Sequence, residues 1–157
     1  MPASHEDVAQ SYADVDSIEA LGILSAADAY LQSVILNRTV GSNANISTAL
    51  TEEDRTFYLQ KAASLYASIV AGDDESIATT LLVVSGLSGQ AAVAEAQGNI
   101  EEAKWFYEAV ITRAGVQYPA LVLQARSRLK TVDLLATSIE LPTDLEVTAR
   151  NNQVLRR

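Results

Sequence analysis

The chain has 157 residues, a net charge of −9 at neutral pH and no cysteine. That length suffices for one domain burying roughly two-thirds of the surface its unfolded chain exposes, while the missing thiols exclude a disulfide framework, a thiolate nucleophile and a thiolate metal site and fit a reducing compartment, the cytoplasm by default. The acidic balance argues against nucleic acid as a partner, because such a surface repels a polyanion before any base is read.

Taken in chain order, residues 1–15 are polar and acidic, with neither a basic segment nor an apolar run, so no secretory signal is expected there and the stretch reads as flexible. It holds the only histidine, His5, and a lone histidine outside any cluster is neither ligand nor base. Residues 16–36 read as a first helix, with Ile18, Leu21, Ala26, Ala29, Tyr30, Val34 and Ile35 near helical spacing. An Asn-, Ser- and Thr-rich loop over 37–49 ends it, since short polar side chains compete for backbone hydrogen bonds. Thr51, followed by Glu52, Glu53 and Asp54, predicts an N-cap and an acidic first turn, and the helix runs to Gly72. Asp73, Asp74 and Glu75 are read as starting a third helix that ends at Gly98-Asn99. A fourth opens at Glu101 and closes at Gly115, and a fifth opens at Tyr118-Pro119 and runs to about Thr137. Residues 139–157 read as a polar tail, and the domain itself as 16–138.

One segment invites another interpretation. Residues 79–89 could be a buried strand with a glycine turn opening an α/β enzyme, with Ser88 as nucleophile or Gly86 and Gly89 around a phosphate. The final Gly of a nucleophile elbow is missing, no phosphate-loop Lys follows, and no second strand of this kind exists to make a parallel sheet. Small residues that let helices approach closely are the simpler reading. The acidic runs likewise fail as metal sites, because consecutive helical residues point about 100° apart; acids in a first turn complement the helix dipole instead. No catalytic residue, cofactor or metal is expected. The longest apolar stretches, near 79–84 and 118–123, fall short of the roughly 20 residues of a membrane span, so no membrane insertion is expected.

An internal repeat carries the most information. Leu59, Ala62, Tyr66, Ile69 and Val70 match Ile100, Ala103, Tyr107, Val110 and Ile111 position for position at an offset of 41. On one helical face, the small residue admits a neighbouring helix and the aromatic fills the space one turn on. Gly98-Asn99-Ile100, then Ala103 and Tyr107, resembles the tetratricopeptide repeat, with Gly at the hairpin turn followed by the apolar, small and aromatic positions. The match is best over 85–115 and partial over 59–72, and the chain departs from the family in its Ala-rich third helix and its polar insertion. The resemblance implies an all-α fold of about five main helices in stacked antiparallel hairpins, and a groove lined by first helices. On this chain that groove would present Ser85, Ser88, Ala92 and Glu95.

Trp105 lies off the stripe of Ile100, Ala103, Tyr107 and Val110, so it serves either as an interface anchor or as a residue covered by the next hairpin. Arg126, Arg128 and Lys130, with Arg156 and Arg157, form a basic end that is a docking surface or simply solvated. Residues 1–112 hold sixteen of the twenty acids and four of the eleven basic residues, so the charge runs from about −12 there to about +3 beyond. The expected function is a non-enzymatic protein–protein interaction adaptor or scaffold, binding a protein or peptide. A self-assembling structural subunit is the alternative, supported by the charge asymmetry. Tyr118, Leu121, Val122, Leu123, Ala125, Leu129, Val132, Leu134 and Leu135 spread around the last helix beyond a ~100° core stripe. That excess should be covered by the tail, through Ile139, Leu141 and Leu145, or by a second chain.

Overall fold

A computed structural model describes residues 2–11, 16–39, 49–73 and 76–136, and nearly all of them are helical. Six α-helices follow one another: α1 (Pro2–Ser11), α2 (Asp16–Ile35), α3 (Glu52–Ala71), α4 (Ile77–Gln97), α5 (Ile100–Ala114) and α6 (Pro119–Thr131), with a 3-10 turn over Val132–Ala136. Among the described residues there is no strand. The segment 79–89 lies wholly inside α4, so the glycines sit in a helix and not in a strand-to-helix turn.

The helix ends follow local chemistry. Thr51 caps α3 through a capping box, its hydroxyl accepting from the Asp54 N–H at 3.1 Å while the Asp54 carboxylate accepts from the Thr51 N–H at 3.2 Å. Gly98 closes α4 at a φ of 78°, a left-handed conformation that suits glycine, and its N–H and that of Asn99 take up the Glu95 and Ala94 carbonyls. Pro119 opens α6 at a first-turn position where its missing N–H costs nothing.

Three boundaries differ from the sequence reading. Pro2–Ser11, expected to be flexible and left outside the domain, is helical and packs on α2, where Ala9 is buried against Gly22. The start of α4 is set by Ser76, whose hydroxyl accepts from the Thr79 N–H, and its first turn holds no acid. Asp73 stands outside the helix, its carboxylate held by Arg113. Finally, α6 gives way after Thr131 to the 3-10 turn. The insertion over 40–48, Asp74, Glu75 and the tail over 139–157, including Ile139, Leu141 and Leu145, lie outside the described residues.

Each helix packs on its predecessor and α2 also packs on α4, while the Arg128–Glu95 pair ties α6 to α4 and α3 and α5 line one groove, so the helices zigzag with α2, α4 and α6 in one layer and α3 and α5 in the other. Two apolar clusters fill the stack. One joins α2 and α3 to Val93 of α4 around Ala27, Ala62 and Tyr66; the other joins α4, α5, α6 and the 3-10 turn around Val84, Ala103, Tyr107, Ala125 and Val132. Glycines draw α3 and α4 together, since a Cβ at Gly89 would lie in the Tyr66 ring and one at Gly86 would stand 3.1 Å from Val70. Over Ile18–Ile35, α2 is long and apolar enough by length and composition to cross a membrane, which counting unbroken apolar runs misses. In the fold this helix is a core element, with Ala26, Ala27, Leu31 and Val34 buried.

Candidate functional site

The repeat places two tyrosines in equivalent positions, and both are anchored by acids. Tyr66 donates to the Asp28 carboxylate on α2 at 2.6 Å, and Tyr107 donates to Glu95 on α4 at 2.8 Å. Burial, then the hydrogen bond to the carboxylate, holds the Tyr66 phenol in its neutral form far above its ordinary range. Tyr107 is also raised, first by burial, with the Arg128 guanidinium acting the other way. Arg128 donates its Nε–H to the Tyr107 hydroxyl at 3.2 Å and forms an ion pair with Glu95, tying α6 to both α4 and α5.

This arrangement divides the expected binding residues among three surfaces. Ser88, Ala92 and Arg128 line a cleft of about 220 Å³ between α4, α5 and α6, together with Tyr107, Leu121 and Gln124. Glu95 and Arg128 occupy each other there, so neither charge is free to meet a ligand without breaking the pair. Ser85 is exposed on α4 outside that cleft, and the Ser88 hydroxyl bonds back to the Val84 carbonyl at 2.7 Å. Arg126 and Lys130 are exposed on α6.

Trp105 belongs to a third and larger surface. A groove of about 610 Å³ opens between α3 and α5, floored by Val83 and Leu87 of α4 and walled by Val70, Ala109 and Thr112. Trp105 stands at its edge, 61% exposed, in an edge-on contact with Phe106 at 4.9 Å between ring centres. Among the described residues no helix covers it. Glu108 contributes an exposed carboxylate to the same wall.

Asp73 and Arg113 also line the groove, and their pairing is one that sequence reasoning missed. Arg113 donates to both carboxylate oxygens of Asp73 at 2.7 Å, to the Thr80 hydroxyl at 2.6 Å and to the Ser76 carbonyl at 2.8 Å. The bidentate fork explains why Arg stands here. Its only sequence signal is an arginine in the last turn of α5, where a cation also complements the helix dipole. Asp54, Asp73 and Arg113 thus have structural partners, and among the described residues no three His, Asp or Glu side chains converge as metal ligands do. No protein-family model, curated protein or solved structure matches this chain.

Proposed function

We propose that the chain is a non-enzymatic protein-interaction module of tetratricopeptide-like type, acting as an adaptor or scaffold, and that its docking surface is the groove between α3 and α5. The observation that carries this reading is the lone tryptophan, 61% exposed at the rim of an apolar-floored groove. Leaving so large an apolar surface in water forgoes stability, and tryptophan is enriched among residues that dominate binding energy. The repeat of buried Ala62 and Tyr66 in Ala103 and Tyr107, the glycine turn at Gly98 and the two-layer zigzag support the likeness to tetratricopeptide hairpins.

The groove suits an amphipathic helix whose apolar side chains rest on Val83 and Leu87, with a basic residue facing Glu108. A net charge of −9 favours the approach of such a segment. The smaller cleft beside α6 offers less, because its ion pair is internal. The Cys-free composition fits action in a reducing compartment such as the cytoplasm.

A displayed library of amphipathic, basic helical peptides selected on the full chain tests this. Trp105, the sole tryptophan, reports binding through a blue shift of its emission as it leaves water. Trp105→Ala should keep the circular dichroism of the parent and weaken the selected peptides more than about tenfold. Peptides that bind both proteins equally would place the docking surface elsewhere.

A further inference from the structure

The two ends of the stack differ in a way that makes them fit each other. Helices α2, α4 and α6 lie together and α3 and α5 lie on the other side, so a seventh helix placed after α6 would fall on the side of α3 and α5. The joints between layers are built from small residues. Ala9 of α1 lies against Gly22 of α2 with about 3.0 Å to a Cβ built there, and Gly86 and Gly89 do the same between α3 and α4. Helix α1 thus packs on α2 as α3 packs on α4.

The far end lacks its cover among the described residues. One face of α6 packs on α5 through Ala125 and Leu129, but Leu123 is 66% exposed, and so is Leu134 just beyond. Charge selects what fits there. Helix α6 carries Arg126, Arg128 and Lys130 and no acid, whereas α1 carries no lysine or arginine and two acids, Glu6, whose carboxylate lies against Tyr30 of α2, and the exposed Asp7. Arg128 is taken by Glu95, while Arg126 and Lys130 form no ion pair with a described residue. The end that holds α1 also exposes Val8, Ile18 and Leu21, apolar surface to set against Leu123 and Leu134.

We infer that α6 of one chain docks on α1 of a second copy, which takes the place of the seventh helix, so that chains add head to tail. Such a contact is heterologous and continues as a filament or closes as a ring. Apolar surface supplies its core and the opposed charges of α6 and α1 set its register. It uses a different surface from the groove between α3 and α5, so either reading can fail without the other.

Sedimentation velocity on the full chain at low and high salt reads this out. The average mass should rise with protein concentration at low salt and fall at high salt, because screening shortens from about 10 Å at 0.1 M to about 3 Å at 1 M. Arg126→Glu with Lys130→Glu makes both ends acidic, and Asp7→Lys with Gln10→Lys makes both ends basic. All four positions are exposed, so circular dichroism should be unchanged. Each pair alone should raise the dissociation constant more than about tenfold. Mixing the two variants should restore assembly, since each end again meets its opposite, and Trp105→Ala should assemble as the parent does. A monomer at every concentration and both salts overturns the inference, including the case in which hydrogen exchange shows the chain's own residues 137–157 covering α6. Assembly that neither pair weakens, or that mixing fails to restore, overturns it as well.

Discussion

Tyr66 and Tyr107, 41 residues apart in sequence, perform the same task in successive hairpins: each buries its ring and donates its hydroxyl to a carboxylate on the preceding helix. The acceptors are not equivalent in the repeat, being Asp28 on α2 and Glu95 on α4. The surroundings differ too, since the Tyr107 hydroxyl also accepts from Arg128 while Tyr66 rests on Gly89. Each hydroxyl thus satisfies itself in a buried site at the junction of two or three helices.

Replacing Tyr66 with Phe keeps the ring and removes the bond to Asp28, so it should cost about 1.5–3 kcal/mol, the range for a hydrogen bond to a charged acceptor. The pH dependence has a defined sign. A raised phenol stays protonated in the folded chain while its unfolded counterpart ionises near 10.0, so the unfolded state binds fewer protons above that point. Stability should be fully present below pH 10 and fall as pH rises beyond it. Urea titrations across that window should show a shallower decline for Tyr66→Phe, and an equally steep decline would remove this tyrosine from the alkaline transition.

Gly89→Ala tests the close approach of α3 and α4. Helix propensity favours Ala over Gly by about 1 kcal/mol, but the new methyl would meet the Tyr66 ring, whose position is fixed by Asp28. Overpacking of this kind costs about 1–3 kcal/mol, so the net change should be destabilising. Gly72→Ala serves as the control, because its Cβ would meet the Ile69 and Ser68 carbonyls at an ordinary 3.5 and 3.8 Å and its φ of −82° suits any residue. Denaturation midpoints should separate the two variants.

Ala62 and Ala103 are fully buried at matching positions of the repeat. Leu at either site adds volume where the neighbouring helices already touch, and each substitution should destabilise by about 1–3 kcal/mol in thermal melts. An unchanged midpoint for Ala103→Leu would mean that the two segments are not equivalent.

Local periodicity made much of this fold legible. The small-then-aromatic spacing at Ala62 and Tyr66, seen again at Ala103 and Tyr107, predicts which residues sink, because one helical face must pack on a neighbour. The turn at Gly98 and the cap at Thr51 are written in adjacent residues. Helix α1 escaped because a polar decapeptide gives little amphipathic signal; the burial of Ala9 depends on the absence of a side chain at Gly22. Candidate binding residues were harder still. Periodicity gives the face of a residue but not its partner, so Glu95 and Arg128 read as two open charges and are one internal pair. Trp105 was legible as lying off the core stripe, while the groove beside it depends on how far α3 stands from α5.

The strongest test of long-range architecture is Arg113, which ties the start of α4 and Asp73, three residues before the Ser76 cap, to the end of α5. Its guanidinium and the Asp73 carboxylate each keep 19% of their side-chain surface exposed, and Thr80, which receives a third bond, is fully buried. Arg113→Met preserves the stem but leaves the Asp73 carboxylate and the Thr80 hydroxyl short of a donor. Removing one member of a fully buried pair costs about 3–5 kcal/mol, and the remaining exposure lowers the expectation to about 2–3 kcal/mol. Arg113→Lys should recover little, because one ammonium cannot span both Asp73 oxygens and still reach Thr80 and the Ser76 carbonyl. The loss should be local before it is global. Hydrogen exchange should quicken first in the opening turn of α4, from Ile77 to Thr80, while the α2–α3 core around Ala62 keeps its protection. Uniform acceleration across the chain, or wild-type exchange at Thr80, would show that this arginine does not fasten the junction.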